Sequence, residues 1–325
     1  MNLKKFVLIN LILLAIVLGS VEFFNYNIYK SKYMDLLILQ SKNCDNPEKA
    51  LKDSLPKYSA PRLYDFKKHR DPIKFVIQGT SDKLPIITIG CSYSYGILLN
   101  RRETLAGQLN KVTERTVYNL GQSGTGPQIL YEQLADESLK KEIPDAEYVI
   151  YVFLHNHIMR QFMRLFSNSS IINPVYYIDK NGNLKKEKPV FPKLIYSSFI
   201  VKNYLENKVL IEKEKAEIAN GLPLFLKTME ESVKIMKEKY PNSKFVLMEF
   251  PQAPMCRADY QEKTQELTDK DIKNLEKLGI IYINAEQLVG HKYRDVKKYR
   301  IADQDHPNAK VWEEIAPALK KRLNL

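Results

Sequence analysis

Three cysteines in 325 residues are too few for a scaffold built on disulfides, and no two of them have the spacing that holds zinc. Cys44 and Cys256 remain free to pair in an oxidising compartment, with Cys91 left unpaired. The five histidines are dispersed along the chain, so no metal site is expected. There is also no glycine-rich phosphate loop, no internal repeat and no low-complexity segment, and no cofactor is called for. Basic residues outnumber acidic ones, 50 to 38, for a formal net charge of +12. They are scattered and no nucleic-acid module accompanies them, which argues against nucleic acid as a partner. The excess cation suits anionic headgroups or an acidic polymer, or else a solvated lysine-rich surface.

Long apolar runs are equally scarce. One stands out, Phe6 to Phe24, broken only by Asn10, Ser20 and Glu22, and its length matches a bilayer. Lys4 and Lys5 precede it, which sets the N-terminus in the cytoplasm and the remainder outside. Residues 1–24 are therefore expected to be a single-pass transmembrane signal anchor. A cleaved signal peptide is the rival, with a poor cleavage site at Val17-Leu18-Gly19. Residues 25–83 carry Pro47, Pro56, Pro61 and Pro72 and read as a stalk, leaving 84–325 as one domain. Strands are expected at Pro85–Ile89, Val117–Leu120, Tyr148–Leu154, Lys244–Phe250 and Gly279–Asn284. Helices are expected near Thr104–Val112, Pro127–Lys141, Leu222–Lys239, Gln261–Leu278 and Asn308–Leu323. Strands alternating with helices predict a three-layer α/β/α sandwich around a parallel sheet. Residues 158–221 form an insertion with a hairpin, Val175–Leu184, turning at Asn181-Gly182, and a charged helix-like stretch, Lys202–Ala219. Emerging just after Asn156, the insertion is either a lid over a cleft or a solvent-facing elaboration.

Candidate chemistry sits at the strand ends. Gly90-Cys91-Ser92-Tyr93-Ser94-Tyr95-Gly96 follows the run Pro85–Ile89, so Ser92 stands where a buried strand breaks into a glycine-flanked turn. Open α/β sheets collect reactive groups at such carboxyl ends. A serine hydroxyl needs a base, and the base an orienter. Asp303-Gln304-Asp305-His306-Pro307, just ahead of the last helix, offers both. Asn119 to Gly124 is a second strand-to-glycine turn, and Asn156 follows the strand at 148–154; backbone N–H groups and an asparagine amide are the donors an oxyanion hole needs. Taken singly, each piece has a structural explanation: a serine turn, a proline-marked helix start, a strand-helix glycine turn. Their ordered combination favours catalysis.

Together these blocks resemble the SGNH/GDSL hydrolase family, over roughly residues 84–325. The resemblance implies a flavodoxin-like fold and ester hydrolysis, with Ser92 as nucleophile, His306 as base and Asp303 as its orienter. The Ser92 N–H, the Gly124 N–H and the Asn156 amide would form the oxyanion hole. The chain departs from the family pattern at Cys91, where aspartate is usual, and at His155 beside the asparagine, the latter bearing on cleft shape. The implied activity is a serine esterase acting on acylated, chiefly O-acetylated, glycans or lipids outside a bacterial inner or plasma membrane. O-acyl transfer to a glycan by the same groups, and a non-catalytic binding or assembly protein on the same fold, are the alternatives.

Overall fold

The β-branched run Ile86-Ile87-Thr88-Ile89 forms a strand, β2 (Ile86–Gly90), buried along its whole length. A strand covered on both faces reads as a continuous apolar run, and β4 (Tyr148–Phe153) repeats the pattern. The structure is a computed structural model, and it describes residues 75–97, 99–162, 174–187, 221–250, 266–290, 296–299 and 306–325. The other strands of the main sheet are β1 (Phe75–Ile77), β3 (Val117–Asn119), β7 (Lys244–Glu249) and β8 (Ile280–Asn284). Their order is β1-β3-β2-β4-β7-β8. From β3 to β8 every pairing is parallel, while β1 joins the edge antiparallel to β3. Numbered along the chain, the five parallel strands run 2-1-3-4-5, the doubly wound flavodoxin-like order. The sheet is thus mixed where a purely parallel one is expected, because Phe75–Ile77, within the stretch read as a stalk, supplies the extra edge.

The helices are α1 (Ser92–Tyr95), α2 (Leu105–Thr113), α3 (Pro127–Ala135), α4 (Glu137–Glu142), α5 (Asn156–Arg160), α6 (Gly221–Lys239), α7 (Asp269–Lys277), α8 (Ala285–Val289), α9 (Val296–Tyr299) and α10 (Ala309–Leu323). Side chains alternate along each strand between two apolar layers. Ile86, Ile150, Val152, Val246 and Met248 face α2 and α10 through Leu105, Leu109, Trp312 and Ile315. Ile87, Val149, Tyr151, Phe245 and Leu247 face α3 and α6 through Leu130, Phe225, Met229 and Val233. This is the expected three-layer sandwich. Each such aliphatic side chain contributes about 1.5–3 kcal/mol by burial, and truncating Ile150 to alanine would cost about 2–5 kcal/mol.

Local chemistry sets the helix ends. Thr104 starts α2 by accepting from Gly107 N–H, Thr268 and Asp271 form a reciprocal capping box on α7, and Asn308 caps α10. The single helix expected over Pro127–Lys141 is two, since the Asp136 side chain accepts from Ser138 N–H and begins α4. Asp and helix interiors compete for the same N–H groups, and here the cap prevails. The expected hairpin is present as β5 (Tyr176–Ile178) and β6 (Leu184–Lys186), antiparallel. Its loop is longer than a two-residue turn: the Asp179 carboxylate accepts from the N–H groups of Asn181 and Asn183, and Gly182 takes φ +79°. The charged stretch Lys202–Ala219 lies outside the described residues, as do Cys44 and Cys256.

The expected single-pass membrane location is corrected by the fold. No helix among the described residues is long and apolar enough to cross a membrane. The run Phe6–Phe24 on which that expectation rested lies outside the described residues.

Candidate active site

Gly90 ends β2 at φ +153°, a backbone only glycine adopts readily. A Cβ there would sit 2.9 Å from the Val152 carbonyl oxygen of β4. The chain then turns through Cys91, extended, into the single helical turn α1, whose first residue is Ser92. Gly96, at φ +75°, closes that turn by donating its N–H to the Ser92 carbonyl at 2.9 Å. The helix is cut after one turn, and the next α-helix, α2, starts only at the Thr104 cap, in line with its expected start near Thr104. The result lifts Ser92 out of the strand at its carboxyl end. As the first residue of a helix, its N–H has no intrahelical acceptor.

His306 comes to Ser92 from 214 residues away, its Nε2 lying 2.7 Å from Ser92 Oγ. The loop holding His306 is fastened on the far side: Asn308 donates its backbone N–H to Tyr299 O at 2.9 Å and its side chain to Lys298 O at 2.8 Å. The Tyr93 ring is tilted against the imidazole with centroids 5.2 Å apart. Behind it, Tyr93 meets Phe250 edge-on at 5.4 Å, and Phe250 meets Trp312 at 5.4 Å. One side of the imidazole thus rests on core aromatics, which limits its motion. Asp303 lies outside the described residues. Cys91 is fully buried and unpaired; its Sγ is 3.9 Å from Ser92 Oγ and it belongs to the apolar layer under the sheet.

The glycine turn after β3 is stapled to the serine turn. Asn119, fully buried, donates Nδ2 to Ser94 O at 2.8 Å and accepts from Gly121 N–H at Oδ1, also at 2.8 Å. Gln122 N–H and Thr125 Oγ1 both reach Gly90 O, at 2.8 and 3.3 Å. Gly121 lies so close to α1 that a Cβ would stand 2.3 Å from Tyr95 N. Gly124, at φ +75°, sits between these tethers. The staple role of Asn119 was not read from the sequence; the available signal was a polar residue closing an apolar strand.

Asn156 opens α5, directly after β4, and is 7% exposed. Its Oδ1 has no hydrogen-bond partner among the described residues. The two neighbouring histidines diverge. His157 is fully buried, its Nδ1 2.9 Å from Tyr151 OH. Burial, and after it the charges of Arg160 and His155, hold its pKa well below the ordinary 6.5. His155 places Nε2 3.3 Å from Glu249 Oε1. Glu249, the last residue of β7, is 6% exposed and also receives Tyr282 OH on Oε2 and Asn284 Nδ2 on Oε1 at 3.5 Å. Burial pushes the Glu249 carboxyl up, but the nearby His155 imidazole and the Tyr282 hydroxyl outweigh it, and the net shift is downward.

The structure therefore brings Ser92 and His306 into hydrogen-bond contact, ties the turn holding Gly124 to Gly90, and sets Asn156 at the end of the strand paired with β2. The strand order reverses between β2 and β4, and crevices at such reversals are where open α/β sheets bind ligands. Neither a protein-family model nor a curated protein matches the sequence. Among solved structures the chain is similar to a member of the lipolytic protein G-D-S-L family from Veillonella parvula, at 10% identity and TM-score 0.45, covering 74% of this chain and 99% of that one. It is also similar to a lipase from a goat rumen metagenome, at 12% identity and TM-score 0.42, covering 74% and 97%. An acetylxylan esterase from Geobacillus stearothermophilus, solved as a catalytic mutant, is similar at 11% identity and TM-score 0.41, covering 77% and 97%.

Proposed function

We propose that this chain is a serine esterase of the SGNH/GDSL type, hydrolysing O-acyl esters, chiefly acetyl esters, of a glycan or lipid. The observation that carries the reading is the 2.7 Å contact between His306 Nε2 and Ser92 Oγ at the carboxyl edge of the sheet. A serine and an imidazole this close form the nucleophile and base pair that acyl transfer to water requires. His306 takes the Ser92 proton as Oγ attacks the acyl carbonyl, and returns it to the departing alcohol. Water, activated by the same imidazole, then attacks the acyl-enzyme and restores Ser92. Asp303, three positions before His306, takes the orienting role.

The negative oxygen of the tetrahedral intermediate is held by the Ser92 N–H, the Gly124 N–H and the Asn156 amide. Each donor of this kind is worth on the order of a hundredfold or more in turnover. Rigid placement matters as much as their presence, and the Asn119 staple and Gly90 carbonyl supply it for the first two. The formal charge of +12 favours acyl esters carried on an acidic polymer or an anionic lipid.

A fluorophosphonate probe and p-nitrophenyl acetate turnover test the reading together. Wild-type protein should be labelled on Ser92 and should turn over the ester. Ser92→Ala and His306→Ala should each lose about a thousandfold or more, since the two act as a unit. Label on another residue, or near wild-type turnover in Ser92→Ala, would sink it.

A further inference from the structure

Resting on the esterase reading above, we propose that Glu249 is a positioning residue for the oxyanion side of the site, acting through His155 on Asn156. The register places Glu249 opposite Phe153, the last residue of β4. Two residues later on the β4 side comes His155, and then Asn156. Glu249 is a carboxylate at a buried strand end, which is costly unless donors surround it. Its donors are Tyr282 and Asn284 on β8, and the His155 ring nitrogen at the β4–α5 junction stands 3.3 Å from Oε1 as an ion-pair contact without hydrogen-bond geometry. Glu286, at the start of α8, is the like charge that acts on it. Held below the ordinary carboxylate value, Glu249 is ionised at neutral pH, and its carboxylate stands 3.3 Å from the imidazole nitrogen.

The Asn156 side chain has no partner at Oδ1 among the described residues, so its own contacts do not fix its aim. What fixes it is the backbone on which it stands. His155 is helical, at φ −55° and ψ −34°, and its carbonyl accepts from Ile158 N–H at 3.0 Å. Its ring is held by Glu249 on one side and meets Phe153 edge-on at 5.7 Å. Releasing the imidazole loosens the residue that sets the direction of the next side chain, and small errors of placement at a reacting centre are expensive in rate.

The test is a double-mutant cycle between Glu249→Gln and Asn156→Ala, read in kcat and KM on p-nitrophenyl acetate, with phosphonate labelling of Ser92 and a thermal melt alongside. In the wild-type background Glu249→Gln should lower kcat about tenfold with KM within about twofold, and in the Asn156→Ala background it should do nothing further. A mere strand clamp would show no such coupling. If Glu249→Gln does not melt cooperatively, Tyr282→Phe takes its place in the cycle and carries the same outcomes. Unchanged kcat, or an equal fall in both backgrounds, overturns the inference alone. A wild-type protein inert to both ester and phosphonate overturns the esterase reading, and the inference with it.

Discussion

Gly121→Ala isolates the geometry of the serine turn from its chemistry. A Cβ at 121 would stand 2.3 Å from Tyr95 N, 2.7 Å from the Ser94 carbonyl carbon and 2.8 Å from Tyr95 Cα. All three are backbone atoms of α1, so no side chain can swing aside. Restoring ordinary contact needs α1 to retreat by about 1 Å, and Ser92 rides on α1. A hydrogen bond of 2.7 Å to His306 does not survive that displacement, and a misplacement of this size costs about a hundredfold in rate. Overpacking of this kind also costs about 1–3 kcal/mol in stability. Gly79 provides the matched control. A Cβ there would lie 2.2 Å from the Arg115 carbonyl carbon and from Glu114 O, an equal clash at the opposite end of β3. Gly79→Ala should therefore lower Tm by a comparable several degrees and leave kcat near wild type, whereas Gly121→Ala should lower both. The measurements are p-nitrophenyl acetate kinetics and a thermal melt on the same preparations. Wild-type turnover in Gly121→Ala, or an equal loss of turnover in Gly79→Ala, would refute the claim that the glycine turn registers the nucleophile.

Cys91→Ala should keep most activity, and brief iodoacetamide treatment of the native protein should leave turnover unchanged, because Cys91 is fully buried; activity that follows Cys91 and ignores Ser92 would make this a cysteine enzyme. Asn119→Ala removes both bonds of the staple and strands the Ser94 carbonyl and Gly121 N–H in a buried site. It should cost about 1–3 kcal/mol and depress kcat as well as Tm; loss of stability with full kcat would reduce Asn119 to a core residue. His157 gives a pH signature. With its folded pKa held below 6.5 by burial, the unfolded chain takes up the proton first as pH falls, so stability declines from about pH 6.5 downward until the folded value is reached. In His157→Gln that decline should shrink in melts between pH 7 and 5; an unchanged slope would mean other groups cause it.

The strands that carry the site were legible because short runs rich in β-branched and aromatic residues favour strands, and β2, β4, β7 and β8 fall within a residue or so of their expected bounds. β1 was not, since three residues, Phe75-Val76-Ile77, form a strand only by pairing with β3. Asp136 is hidden for a related reason: a residue that can cap reads as helix interior until its carboxylate is seen accepting from the Ser138 N–H.

The same distinction separates the two sides of the site. Ser92, Gly124 and the start of α10 are dictated by local turn and cap chemistry, so their order along the chain announces them. The 2.7 Å contact across 214 residues follows once the sheet order is known. Glu249 has no such local signature, for it sits at the end of an apolar strand and its three partners belong to β8 and to the β4–α5 junction. From the sequence, His155 looked like a change in the shape of the cleft. In the fold its ring nitrogen also stands 3.3 Å from a buried carboxylate. A residue whose role is to hold its neighbour is visible only when the strand beyond it is in place.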